Sequence, residues 1–85
     1  MNITDVRIKK LDEPLGKLLA IVSITVDDCF VIHDLKIIQG ENRLFIAMPS
    51  RKNAEGEYKD IAHPLNIETR RELRRIILDA YEKIE

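Results

Sequence analysis

Four arginines, Arg70, Arg71, Arg74 and Arg75, fall together near the C-terminus, opposed locally only by Glu68 and Glu72. The guanidinium group is a planar fork of donors whose charge does not titrate in water, so a cluster of this kind suits phosphate. The surrounding residues predict a helix over 66–84, with Leu73, Ile76, Ile77, Ala80, Tyr81 and Ile84 recurring at the i, i+3, i+4, i+7 spacing of an amphipathic stripe. Asn66 can cap its start, with Thr69 and Glu72 as a capping-box alternative one turn later. The arginines thus sit in the first half of the helix, where the macrodipole disfavours cations by a few tenths to about 1 kcal/mol each. A sequence chosen for stability alone would place them at the other end. At about 100° per residue, Arg71, Arg74 and Arg75 point away from the apolar stripe and Arg70 flanks it. Leu78 falls on the same outer side, an apolar residue among cations. The plainer reading is a solvated face, with Arg71 paired to Glu68 and Arg75 to Glu72. Arg51 and Lys52, in a polar stretch, could extend the basic surface.

Other constellations carry less. His33-Asp34 and the span from Asp60 to His63 hold the side-chain types of a metal or acid-base site. Their spacing is not diagnostic, and structural hydrogen bonding is the better reading for both histidines. Cys29 lies beside Asp27 and Asp28, whose charge disfavours a thiolate, so no catalytic role is assigned to it. Gly16, Gly40 and Gly56 are isolated turn residues, and no glycine-rich loop feeds a helix as a phosphate cradle requires. Phe45 and Tyr58 do not make the paired aromatic pattern of an RNA-binding sheet and read as core or loop-anchoring residues.

The elements that must position the arginines are strands. Ile3 to Leu11 reads as a half-buried strand ending near Pro14-Leu15-Gly16. Leu18 to Val22 is apolar at every position before the alternation of Ser23 to Asp27, which requires cover on both faces. Asp28-Cys29 marks a turn, Phe30 to Ile38 a third strand, and Gly40-Glu41-Asn42 a second turn. Leu44 to Met48 reads as an inner strand stopped by Pro49. The stretch from Ser50 to Lys59 is a long loop or exposed hairpin, with Tyr58 to Ala62 returning as a short edge strand ended by His63-Pro64. The sum is an α+β fold: a small antiparallel sheet of four to five strands followed by one C-terminal amphipathic helix.

Composition sets the outer limits. With 85 residues, 45% apolar and 34% charged, the chain is one folded domain over residues 1–85. Its formal net charge of -1 means that polyanion binding must come from local clustering. A single cysteine excludes an internal disulfide, and the expected compartment is a reducing cytoplasm. No run approaches the roughly 20 apolar residues of a membrane span, so no membrane partner is expected.

Three stretches resemble a known family: Phe45-Ile46-Ala47-Met48-Pro49-Ser50-Arg51-Lys52, then Gly56-Glu57-Tyr58, then Asp60-Ile61-Ala62-His63-Pro64-Leu65-Asn66. They closely resemble the stage V sporulation protein G (SpoVG) family of bacteria, as do Ile3 to Ile8 and Phe30 to Leu35. The resemblance implies a dimeric α+β domain that binds DNA, and in some members RNA, and regulates gene expression, with a link to septation and sporulation. It implies no enzymatic activity, cofactor or small-molecule substrate. Its nucleic-acid contacts map here onto Arg51, Lys52, Arg70, Arg71, Arg74 and Arg75. The rival expectation is a protein-protein module acting on the division machinery without touching nucleic acid. A homodimer is also expected from the sheet itself, since one helix covers one face only.

Overall fold

The computed structural model describes residues 2–84. Four strands, β1 (Ile3–Leu15), β2 (Leu18–Val26), β3 (Phe30–Gln39) and β4 (Leu44–Ala47), form an antiparallel meander in the order β1-β2-β3-β4. A separate two-stranded ribbon, β5 (Ser50–Lys52) and β6 (Tyr58–Asp60), precedes the helix α1 (Ile67–Glu82). This is the α+β arrangement the sequence predicts. The β2–β3 turn holds Asp27 and Asp28 at φ 51° and 56°, a left-handed geometry that aspartate tolerates better than most residues. Asp27 accepts from the Asn2 amide at 3.1 Å, and the Asp28 amide donates to Thr4 Oγ1 at 3.0 Å, which ties this turn to the start of β1.

Register irregularities decide which side chains face the helix. Between β2 and β3, Val22 pairs with Leu35 and Ile24 with Ile32, so His33 and Asp34 together oppose Ser23. Asp34 takes φ 66° to make this bulge. Ile32 and Leu35, three apart, consequently both pack on the helix side, where a regular strand would send them to opposite faces. A second irregularity leaves Leu19 as the extra residue on β2, and both Leu19 and Ala20 join the core. The unbroken apolar run at 18–22 is therefore partly the trace of a bulge, and less of the helix-free face is apolar than strict alternation predicts.

Ala20, Val22, Ile24, Leu35 and Ile37 from the sheet meet Leu73 and Ile77 from α1 and Met48 from the chain beyond β4. Each large side chain buried this way contributes roughly 1.5 to 3 kcal/mol. The Asn66 side chain accepts from the Thr69 amide at 2.8 Å, so Asn66 is the N-cap. The capping-box alternative at Thr69 and Glu72 is not used, because Thr69 already lies inside the first turn.

One expectation is corrected. β4 is an edge strand, not an inner one. After Ala47 the chain leaves the sheet at Met48-Pro49, and the next two strands pair only with each other, so neither adds to the free edge of β4. Proline has no N–H to continue a ladder. Its carbonyl accepts from the Ile61 amide at 2.8 Å, which fixes the root of the ribbon.

Candidate nucleic-acid interface

The helix arginines line one open groove of about 660 Å³ together with Arg43 from the β3–β4 turn, Leu78, and the carboxylates of Asp79 and Glu82. Arg70, Arg71 and Arg75 are exposed; Arg74 is half-buried and donates from Nη2 to the Leu44 carbonyl of β4 at 3.2 Å. The expected outward position of Arg74 is thus corrected: the helix passes over the edge of β4, and a side chain about 100° from Leu73 meets that edge and not bulk water. Leu78 is corrected likewise. It is partly buried against the core and forms the apolar shoulder of the groove.

The plainer pairing does not form. Among the described residues the one ion pair within the helix joins Arg75 to Asp79 at 3.8 Å, and neither Glu68 nor Glu72 takes part in one. Both partners of that pair are more than half exposed, so it adds little to stability. Glu68 in the first turn suits the macrodipole, whereas Arg70 and Arg71 at the end of that turn, and a last turn without a basic residue, do not.

Arg51 and Lys52 do not extend this groove. They lie on the ribbon and line a separate concavity of about 400 Å³ with Asn53, Lys59 and Ile61. The register places Arg51 directly opposite Lys59, a like-charge pair that costs the ribbon stability. What closes the ribbon is Asn53: its Oδ1 accepts from the amides of Glu55 and Glu57 at 2.9 and 3.0 Å, and its amide donates to the Glu57 carbonyl at 2.8 Å. Gly56 supplies the left-handed φ of 84°.

Sequence reasoning missed Arg43 and Lys59. Neither belongs to a charge cluster along the chain; each meets other cations only because a turn or a strand register brings it there. Phe45 and Tyr58 are also corrected. They are neither core nor anchor, being 47% and 71% exposed, because β4 has a free edge and β6 has no layer packed on it. His33 shares a hydrogen bond with Ser23 Oγ at 2.9 Å across the bulge, and His63 Nδ1 lies 3.0 Å from the Pro64 carbonyl. Among the described residues no group of three or more His, Cys, Asp or Glu side chains is arranged to hold a metal ion. Among the described residues no helix is long and apolar enough to cross a membrane.

A family profile for SpoVG matches residues 1–83. The chain belongs to the SpoVG family. Among its SpoVG relatives, a septation protein of Lachnospira eligens is 62% identical over 85 residues, covering 100% of this chain and 96% of the relative. A septation protein of Clostridium perfringens is 60% identical over 85 residues, covering 100% and 93% respectively. One from a Thermoanaerobacter species is 61% identical over 83 residues, covering 98% and 89%. These SpoVG matches span both the ribbon and the helix, so both basic surfaces lie inside the family domain.

Proposed function

We propose that this protein is a cytoplasmic, nucleic-acid-binding regulator linked to septation and sporulation, and that it grips phosphates with Arg43, Arg70, Arg71, Arg74 and Arg75. The observation that carries the reading is the groove lined by five guanidinium groups from two distant segments against two carboxylates, Asp79 and Glu82. Arg70 and Arg71 stand at the end of the first turn, where the dipole disfavours them, a placement that gains a purpose once phosphate fills the groove. The ribbon cations Arg51, Lys52 and Lys59 form a second contact surface. No catalytic step belongs to this reading. The septation link comes from the names of the relatives.

The test is an anisotropy titration against mixed-sequence DNA and RNA at two salt concentrations. Wild-type affinity should fall steeply with salt, and replacing Arg70, Arg71 and Arg75 together with Gln should flatten the slope of log K by about 0.9 for each duplex phosphate that is no longer neutralised. Unchanged affinity and slope in the folded variant would remove the helix from the interface.

A protein-protein module acting on the division machinery is the second reading, favoured by one observation. Ile61, Leu65 and Ile67, on the segment between ribbon and helix, are all largely exposed. Binding through that segment would persist at high salt. A homodimer is part of the main reading, with a second copy covering the helix-free face around Ile21 and Val31; light scattering showing a stable monomer at micromolar concentration would refute it.

A further inference from the structure

Phe45 is a large aromatic residue left half exposed at the free edge of a sheet, yet it is held in place from two sides. The Arg43 guanidinium carbon lies 5.7 Å from its ring centroid. On another side the ring is pressed against the backbone of Gly40, where a methyl group would collide with its Cε2 and Cδ2 atoms. The turn between them is closed by the Gly40 amide donating to the Arg43 carbonyl at 2.9 Å, with Gln39 Nε2 donating to the Gly40 carbonyl at 2.9 Å. The ring is thus positioned by the backbone of the turn before any ligand arrives, with the guanidinium beside it through the cation–π contact.

Arg43 also joins three concave surfaces. It lines the helix groove, a hollow of about 170 Å³ along the edge of β4 with Phe45, Arg70 and Arg74, and a third depression of about 420 Å³ with Gly40, Phe45 and Lys17. The path runs from a bank of cations, past an aromatic ring capped by a planar cation, to a further lysine. Phosphates and one flat, unpaired base would find partners along it in that order. The path also bends around a sheet edge, since Phe45 pairs with Ile38 on the helix-free face while the arginines stand on the helix side. A duplex, with a persistence length of about 50 nm and its bases stacked inside, does not follow such a bend; a single strand does.

We infer that the Arg43–Phe45 pair is a stacking platform for one unpaired base, so that the groove takes single-stranded nucleic acid in preference to duplex. This rests on the phosphate-binding reading above and adds a base contact to it. Val31 and Phe45 lie seven residues apart along β3 through the Ile38 pairing, roughly 20 Å, which leaves the platform outside a subunit contact centred on Val31.

The test compares wild type, Phe45→Leu and Arg43→Lys on short mixed-sequence single strands of DNA and of RNA, on the matching duplexes, and on a strand of abasic sites. Wild type should prefer single strands. Phe45→Leu should bind single strands about tenfold or more weakly, the scale of one base stack, with an unchanged salt slope because every phosphate keeps its cation. On duplex and on the abasic strand it should match wild type within twofold. Arg43→Lys keeps the charge and removes the plane, and should weaken single-strand binding more than duplex or abasic binding, on top of a smaller loss shared by every ligand because Arg43 is also a phosphate contact. A folded Phe45→Leu variant with unaltered single-strand affinity overturns the platform while the phosphate reading stands. A change of oligomeric state with equal weakening on every ligand also overturns it, by placing the ring in a subunit contact. If wild type binds no nucleic acid even at low salt, the phosphate reading itself falls and the platform with it.

Discussion

The helix groove and the β5–β6 ribbon both present clustered cations, but they are held by different physics. The arginines of α1 ride on an element whose opposite face is locked into the core through Leu73 and Ile77, the latter with 0% exposure. The ribbon has every strand residue exposed and is organised by the side chain of Asn53 and the backbone of its turn. The first surface is rigid because burial makes it so; the second is only as ordered as a few solvent-exposed hydrogen bonds. A ligand that docks on both meets a preformed site and an adaptable arm, and only the first should respond to changes in the core.

The largest effect should come from cutting the link between helix and core. Ile77→Ala removes most of a fully buried side chain and should destabilise the fold by about 2 to 5 kcal/mol in urea unfolding, lowering the order of the groove with it. A variant destabilised by less than about 1 kcal/mol would mean that α1 is not locked as described. Asn66→Ala removes the N-cap and should cost about 0.5 to 2 kcal/mol. Replacing Arg70 and Arg71 with Gln should do the reverse, raising stability by a few tenths to about 1 kcal/mol per residue while weakening nucleic-acid binding. Destabilisation there would show that these arginines serve the fold. The smallest global effect belongs to Asn53→Ala: the unfolding free energy should shift by no more than about 0.5 kcal/mol, while the Glu55 and Glu57 amides exchange hydrogen faster. If instead the whole protein loosens, ribbon and body are one cooperative unit.

The helix and the succession of strands and turns along the chain were legible in the sequence because both are written in local periodicity. The stripe through Leu73 and Ile77, the Asn66 cap and the turns at Gly16, Asp28 and Gly40 need no knowledge of distant residues. Edge or centre cannot be read that way: Leu44 to Ala47 has the composition of an inner strand, and only the failure of the next segment to pair with it leaves it at the border. The same limit hid part of the site. Arg70 to Arg75 announce themselves as neighbours in the chain, whereas Arg43 joins them across 27 positions through the folding of a turn over a helix. The bulge at His33-Asp34 disguised the faces of β3, since one extra residue inverts every inference drawn from alternation beyond it.

The meander has a consequence for the order in which the molecule comes into being. Each strand of the main sheet pairs with its neighbour in sequence, so the four can assemble as they emerge during synthesis, with little chain to close between partners. Their helical cover, α1, is completed 35 residues after Ala47. At about 5 to 20 residues per second, this delay lasts roughly 2 to 7 seconds. Throughout it, Val22, Ile24, Leu35 and Ile37 form an apolar surface without its lid, beside the unprotected edge of β4. The nascent chain passes through its most adhesive state before α1 is complete, which makes the interval before residue 82 the time when a chaperone has most to offer it.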